Sequence, residues 1–148
     1  MKLSSKSRYG IQAMFDLAYH TGGRSAQIKD ICERQGIPAR FLEQVFQDLK
    51  RAGLVKSKRG PRGGYELAKA AAEVSLGDVI RAIEGAIALG AFEAKARSAS
   101  HEVLRSALVE LSRNVEACFD EITLSDLCAT AEREGISRSP SPRYVYAI

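Results

Sequence analysis

The feature that most constrains this chain is the tripeptide Gln35-Gly36-Ile37, which separates two short amphipathic stretches with almost no room between them. Before it, Ile28, Ile31 and Cys32 fall on one face of a helix that Ser25 is placed to cap and that runs through Arg34. After it, Pro38 suits the first turn of another helix, where its missing N–H is harmless. The apolar stripe Leu42, Val45, Phe46 and Leu49 continues that helix until Gly53. A glycine just past a helix end reverses the chain through a left-handed residue. Two short helices joined this tightly must cross steeply, so the second protrudes from the core on which the first sits. That is the arrangement of a helix-turn-helix.

The flanking patterns extend this unit. Upstream, Ile11, Met14, Phe15, Leu17 and Ala18 recur at helical spacing from Arg8 to His20, and Thr21-Gly22-Gly23 stops them. Downstream of Gly53 the period becomes alternating. Leu54-Val55-Lys56-Ser57 and Tyr65-Glu66-Leu67 read as short strands around Lys58-Arg59-Gly60-Pro61-Arg62-Gly63-Gly64, a hairpin over 56–66 with a basic, glycine-rich tip. Such a hairpin makes the unit a winged helix-turn-helix. A fourth helix is expected from Ser75, with Asp78 as its capping-box partner, through Val79, Ile80 and Ile83 to Gly85.

Residues 86–99 are small and weakly patterned, a loop or a marginal helix. Then Leu104, Leu108, Leu111, Val115, Cys118 and Ile122 step by four, three, four, three and four residues. This heptad seam predicts a long helix that packs against a second copy of the chain or across the winged domain. Thr123 is expected to cap a last helix through Glu134, closed by Gly135, and Ser137–Ile148 reads as a tail. The expected fold is mainly α with a small β-hairpin. Its parts are a winged-helix domain over 1–85, a loop or marginal helix over 86–100, a dimerisation helix with its following helix over 101–135, and a tail over 136–148.

Charge divides the chain as the patterns do. Residues 1–70 hold 14 Lys/Arg against 6 Asp/Glu, a net of +8, whereas residues 71–148 hold 8 against 12, a net of −4. A basic half joined to a mildly acidic one points to a polyanion partner, nucleic acid being the commonest, or to a solvated basic face. Three cysteines without close spacing, Cys32, Cys118 and Cys128, do not make a secreted disulfide framework. The apolar runs are too short for a bilayer, and no secretory leader is recognised at the start, so a cytoplasmic protein is expected. No phosphate-binding loop, zinc-protease helix or serine elbow is present, and neither His20 nor His101 has an adjacent nucleophile, so no enzyme is expected.

A helix that enters the major groove meets base edges with its first turn. In the helix over 38–52 those positions are Pro38, Ala39, Arg40, Glu43 and Gln44. Arg40 can pair with guanine and Gln44 with adenine, while Glu43 can accept from cytosine or repel a wrong site. Alternatively, Arg40 and Glu43 pair with each other on a solvated face. Lys58, Arg59, Arg62 and Gly63 lie where glycines let the backbone approach DNA, and Arg59 is favoured for a narrow minor groove. Lys2, Ser4, Lys6, Arg8 and Tyr9 suit phosphate contacts, or serve as ordinary polar surface.

These residues resemble a known family. Ile37-Pro38-Ala39-Arg40-Phe41-Leu42-Glu43-Gln44-Val45-Phe46, the stretch from Leu49 to Ala68, the helix Ser75–Gly85 and the segment Ile122–Leu127 are similar to the winged-helix regulators that include the iron–sulfur cluster regulator IscR, the nitric-oxide-sensing repressor NsrR and the cysteine-metabolism repressor CymR. The similarity covers roughly residues 1–128. It implies a homodimer that binds double-stranded DNA at a pseudopalindromic operator through helix and wing, as a repressor or an activator. It also implies that the long helix lies at the dimer axis, that Arg40, Glu43 and Gln44 discriminate bases, and that Arg59 serves the wing.

The same resemblance exposes a departure. Cluster-binding members carry three closely spaced cysteines, often with a histidine nearby, in the loop and the start of the long helix. Here Ala86 to Arg105 contains no cysteine, and His101 alone remains, read as a surface histidine. An iron–sulfur cluster needs several thiolates converging on iron, so neither cofactor nor metal is expected. Cys32, Cys118 and Cys128 are read as packing residues, with Cys118 and Cys128 the candidates should a thiol sense oxidants. The input is then a small molecule, a partner protein or a thiol modification. A winged-helix module that binds protein, or a regulator with an atypical metal or thiol site, stays open as an alternative.

Overall fold

The computed structural model describes residues 2–89 and 98–139. Its elements are α1 (Ser5–Tyr19), α2 (Ile28–Gln35), α3 (Ala39–Arg51), β1 (Val55–Lys58), β2 (Gly64–Leu67), a 3-10 turn at Ala71–Glu73, α4 (Leu76–Glu84), α5 (Ala99–Asp120) and α6 (Leu124–Arg133). The two strands pair antiparallel, with Val55 opposite Leu67 and Lys58 opposite Gly64. The mainly helical class with one small hairpin is thus as expected. The loop expected over 86–100 and the tail over 136–148 fall partly outside the described residues.

The core lies where α1, α2, α3, α4 and α6 meet. Met14, Leu17, Ile31, Leu42, Val45, Phe46, Leu49, Val79 and Leu124 are fully buried there. Each such side chain contributes on the order of 2 kcal/mol of transfer free energy, so α3 is held firmly by its inner face alone.

Helix starts follow local hydrogen-bond chemistry. The Ser4 hydroxyl accepts the Ser7 N–H at 3.0 Å, which begins α1 three residues before its apolar pattern does. Ser75 and Asp78 cap α4 reciprocally, at 3.0 Å each way, and Thr123 with Asp126 does the same for α6. Gly36 closes α2 at φ +65°, a left-handed conformation that disfavours any side chain, and its N–H reaches the Cys32 carbonyl at 2.9 Å.

Two expectations are corrected. Ser25 does not cap α2, because Ala26 is drawn into an extended bridge with Tyr65, exchanging two backbone hydrogen bonds of 2.8 Å. The helix therefore starts only at Ile28, with Gln27 at its cap position and no side-chain cap bond. Nor does the long helix extend to Ile122. It stops at Asp120 because residues 74–76 and 122–124 bridge as extended chain, Leu76 N–H donating to Ile122 at 2.8 Å and Leu124 N–H to Val74 at 2.9 Å.

A buried ion pair orients α2 on α1. The Asp16 carboxylate, fully buried, accepts two bonds from the Arg34 guanidinium at 2.7 and 2.9 Å and a third from the Gln35 amide at 3.0 Å. The start of the expected tail is docked against the end of α1. Tyr19 donates its hydroxyl proton to the Ile136 carbonyl at 2.6 Å, and Ser139 N–H donates to His20 Nδ1 at 3.0 Å. Burial pushes the His20 pKa down against the opposing pull of Asp16, keeping that nitrogen free to accept.

The helix α5 is held along one side, where Leu89 N–H donates to the Ser112 hydroxyl at 2.9 Å and Ile87 N–H to the Glu116 carboxylate at 3.1 Å. It runs for 22 residues and none of them is buried. Arg81 of α4 grips Asp120 at its end, at 2.6 Å, and Ser75 donates a further bond to Asp120 at 3.1 Å. His101, in its first turn, lies with Nδ1 2.6 Å from the Ser98 hydroxyl. Among the described residues, no helix is long and apolar enough to cross a membrane.

Candidate nucleic-acid interface

The outward face of α3 is the complement of its buried stripe. Arg40, Glu43, Gln44 and Gln47 recur at the helical interval and are exposed, and Pro38 and Ala39 are exposed at the helix start. Gln47 continues the same line one turn further, a position that the emphasis on the first turn passes over although the spacing contains it. The Arg40 guanidinium lies 4.8 Å from the Phe41 ring centroid. Among the described residues no ion pair joins Arg40 to Glu43, and both residues are exposed.

The wing is anchored to α3 and to the segment before α2. Phe46 stacks on Tyr65 with ring centroids 4.4 Å apart, and Lys50 Nζ donates to the Ser57 hydroxyl at 2.9 Å. Across the strands, Lys56 pairs with Glu66 at 3.2 Å. The tip is a tight turn over residues 60–63, with Pro61 in its second position and Gly63 N–H donating to the Gly60 carbonyl at 2.8 Å. Lys58, Arg59 and Arg62 surround it and are exposed. Gly63 itself is buried beneath the turn. A Cβ there would sit 2.3 Å from the Lys58 carbonyl oxygen, so this glycine shapes the tip from within.

The N-terminal group is brought to α3 by two contacts. Tyr9 packs on Phe41 with ring centroids 5.9 Å apart, and Lys6 Nζ pairs with Asp48 at 2.5 Å. Ser4 is occupied as the α1 cap, and its N–H donates to the Glu84 carboxylate at 3.0 Å. The Ser7 hydroxyl also donates to Glu84 at 2.5 Å, and hydrogen bonding from the Ser4 side chain first, then from the Ser7 hydroxyl and the Ser4 N–H, holds the Glu84 pKa below the usual carboxylate value. Lys2 and Arg8 remain exposed, Arg8 donating to the Ser5 hydroxyl at 3.2 Å. The candidate residues of α1, α3 and the wing therefore belong to one connected assembly, in which Ser4, Lys6 and Gly63 have internal partners.

On the seam, Leu104 is 53%, Leu111 48% and Ile122 42% exposed. Cys118 is exposed as well, and Leu108 and Val115 are half-buried. Cys32 and Cys128 are half-buried, and burial raises both thiol pKa values, against thiolate reactivity. Among the described residues, no three His, Cys, Asp or Glu side chains are grouped to hold a metal ion.

The sequence profile of the Rrf2 family, described as iron-dependent transcriptional regulators, matches residues 3–130. The HTH-type transcriptional regulator IscR of Vibrio atlanticus is 38% identical over 133 residues, which span 86% of this chain and 75% of that protein. The structure of T. potens IscR superposes with a TM-score of 0.73 at 39% identity, covering 94% of each chain. That of CymR, the global cysteine regulator of B. subtilis, superposes with a TM-score of 0.72 at 33% identity, covering 88% of this chain and 98% of the other. A protruding helix, a basic wing and similarity across nearly the whole length agree: the chain belongs to the Rrf2 family of DNA-binding transcriptional regulators.

Proposed function

We propose that the protein acts as a homodimer, probing a pseudopalindromic operator with α3 in successive major grooves and the wing in the flanking minor grooves, and that it represses transcription there. The observation that carries this is the division of α3 into two faces. Leu42, Val45, Phe46 and Leu49 are fully buried, while Arg40, Glu43 and Gln44 are exposed and carry the hydrogen-bonding groups that read base edges. Arg59 serves the narrow minor groove, and Lys2, Arg8 and Lys58 serve phosphates. The apolar side chains exposed along α5, Leu104 and Leu111 among them, supply the contact with the second copy, which doubles every contact.

The test is an affinity series on an operator duplex found by genome-wide footprinting. Arg59→Ala is expected to weaken binding roughly tenfold or more, since two copies act, and to flatten the dependence of affinity on salt. Unchanged affinity and unchanged slope would remove the wing from the interface. A protein that leaves no footprint on any genomic fragment would instead be a protein-binding module.

The proposal includes regulation without an iron–sulfur cluster, although the family is described as iron-dependent. What supports it is the stretch Ala86–Arg105, which contains no cysteine, and the scattering of the three that exist over α2, α5 and α6. Protein purified without oxygen is expected to be colourless and to hold no stoichiometric iron or sulfide. A brown protein with both would end this reading. The input signal is then a small molecule, a partner protein or a thiol modification.

A further inference from the structure

We infer that Ser25 is a positioning residue for the minor-groove contact, holding the wing tip in the shape that presents Arg59. The inference rests on the wing reading above. Two strands of four residues make a hairpin that is marginal by itself, so its shape must be set from outside. At its base this is done by Phe46 on Tyr65, by Lys50 on Ser57, and by the Ala26 bridge.

At the tip, the Ser25 hydroxyl donates to the Arg62 carbonyl at 2.8 Å. Arg62 is the third residue of the 60–63 turn, so this bond ties the turn to the chain entering α2. Arg59 immediately precedes that turn, and its direction follows from how the turn is seated. Ser25 is spared from capping α2 because Ala26 pairs with Tyr65, which sets residue 25 one step beyond the bridge, facing the tip. Gly64 completes the close approach: a Cβ there would lie 2.2 Å from the Ala26 carbonyl oxygen.

Without the hydroxyl, water can satisfy the exposed carbonyl of Arg62, so folding is little affected. The tip becomes free to reorient, and binding DNA must then order it. One hydrogen bond of this kind carries a factor of about three to ten for each half-site.

The experiment is a double-mutant cycle on the operator duplex, with Ser25→Ala, Arg59→Ala, the double variant and Ser25→Thr. Affinity is read by fluorescence anisotropy, minor-groove contact by hydroxyl-radical protection, and major-groove contact by methylation interference at guanine N7. Ser25→Ala is expected to weaken binding about ten- to a hundredfold for the dimer, to lose flanking minor-groove protection and to keep the major-groove pattern. Ser25→Thr, which retains the hydroxyl, restores both, and Ser25→Ala adds nothing once Arg59 is alanine. If Ser25→Ala weakens the Arg59→Ala protein as much as the parent, the hydroxyl does not act through the wing arginine and the inference is overturned while the wing reading stands. If Arg59→Ala alone binds normally, the wing reading falls and takes this inference with it.

Discussion

Replacing Leu104 and Leu111 together by glutamate is expected to leave the protein folded but monomeric, and to lower operator affinity by about two to four orders of magnitude. Both side chains are about half exposed on α5, so glutamate meets no packing conflict within one protomer. Against a second copy they would place four carboxylates in an apolar seam, where the ions lose hydration without gaining partners. A single half-site binds with a fraction of the affinity that two linked half-sites reach, because the second engagement of a dimer is intramolecular. Sedimentation velocity reads the assembly and anisotropy on the full operator reads the affinity. A double variant that still sediments as a dimer would show that α5 is not the axis. One that is monomeric yet binds the full operator as before would show that dimerisation is irrelevant to recognition.

The second large effect concerns stability. Asp16→Ala is expected to lower the free energy of unfolding by about 3 kcal/mol, read as a fall in the urea midpoint at fixed protein concentration and constant slope. The carboxylate is fully buried and accepts three hydrogen bonds, two from Arg34 and one from Gln35. Its removal leaves those donors without an acceptor in a site that water reaches poorly. The loss stays at the lower end of what a buried pair costs because the Arg34 side chain keeps 24% of its surface exposed and can turn toward solvent. Replacing Asp16 and Arg34 together by leucine or methionine should recover much of the difference, since the penalty belongs to the stranded partner. A midpoint unchanged in Asp16→Ala would show that the pair contributes nothing beyond its own desolvation.

What the sequence made legible was whatever is encoded within a few residues. Ser75 with Asp78 and Thr123 ahead of α6 are local chemistry, and they mark their helix starts as expected. The apolar stripe of α3 is equally local, so its outward residues could be named by subtraction. What stayed hidden depends on partners far along the chain. Asp16 meets Arg34 across 18 residues, and a lone carboxylate on an apolar helix face was the sign of it. Ser25 reads as a cap because serine before a helix normally is one, yet a bridge to Tyr65 outcompetes that role. Ile122 keeps the heptad rhythm although the helix has already ended, because a hydrophobic period records which residues are apolar and not where the backbone turns. Lys6 reads as a phosphate contact or polar surface, yet it pairs with Asp48, 42 residues away.

The two faces of α3 also bear on how such a regulator changes over generations. Arg40, Glu43, Gln44 and Gln47 take no part in the core, and substitutions at exposed helix positions usually alter stability by no more than about 0.5 kcal/mol. Leu42, Val45, Phe46 and Leu49 leave no such latitude. After a gene duplication, one copy can therefore drift toward a new set of promoters by changing a few outward side chains while its scaffold remains under constant selection. Rewiring of the regulatory network and retention of the fold are written in interleaved letters of the same thirteen-residue helix.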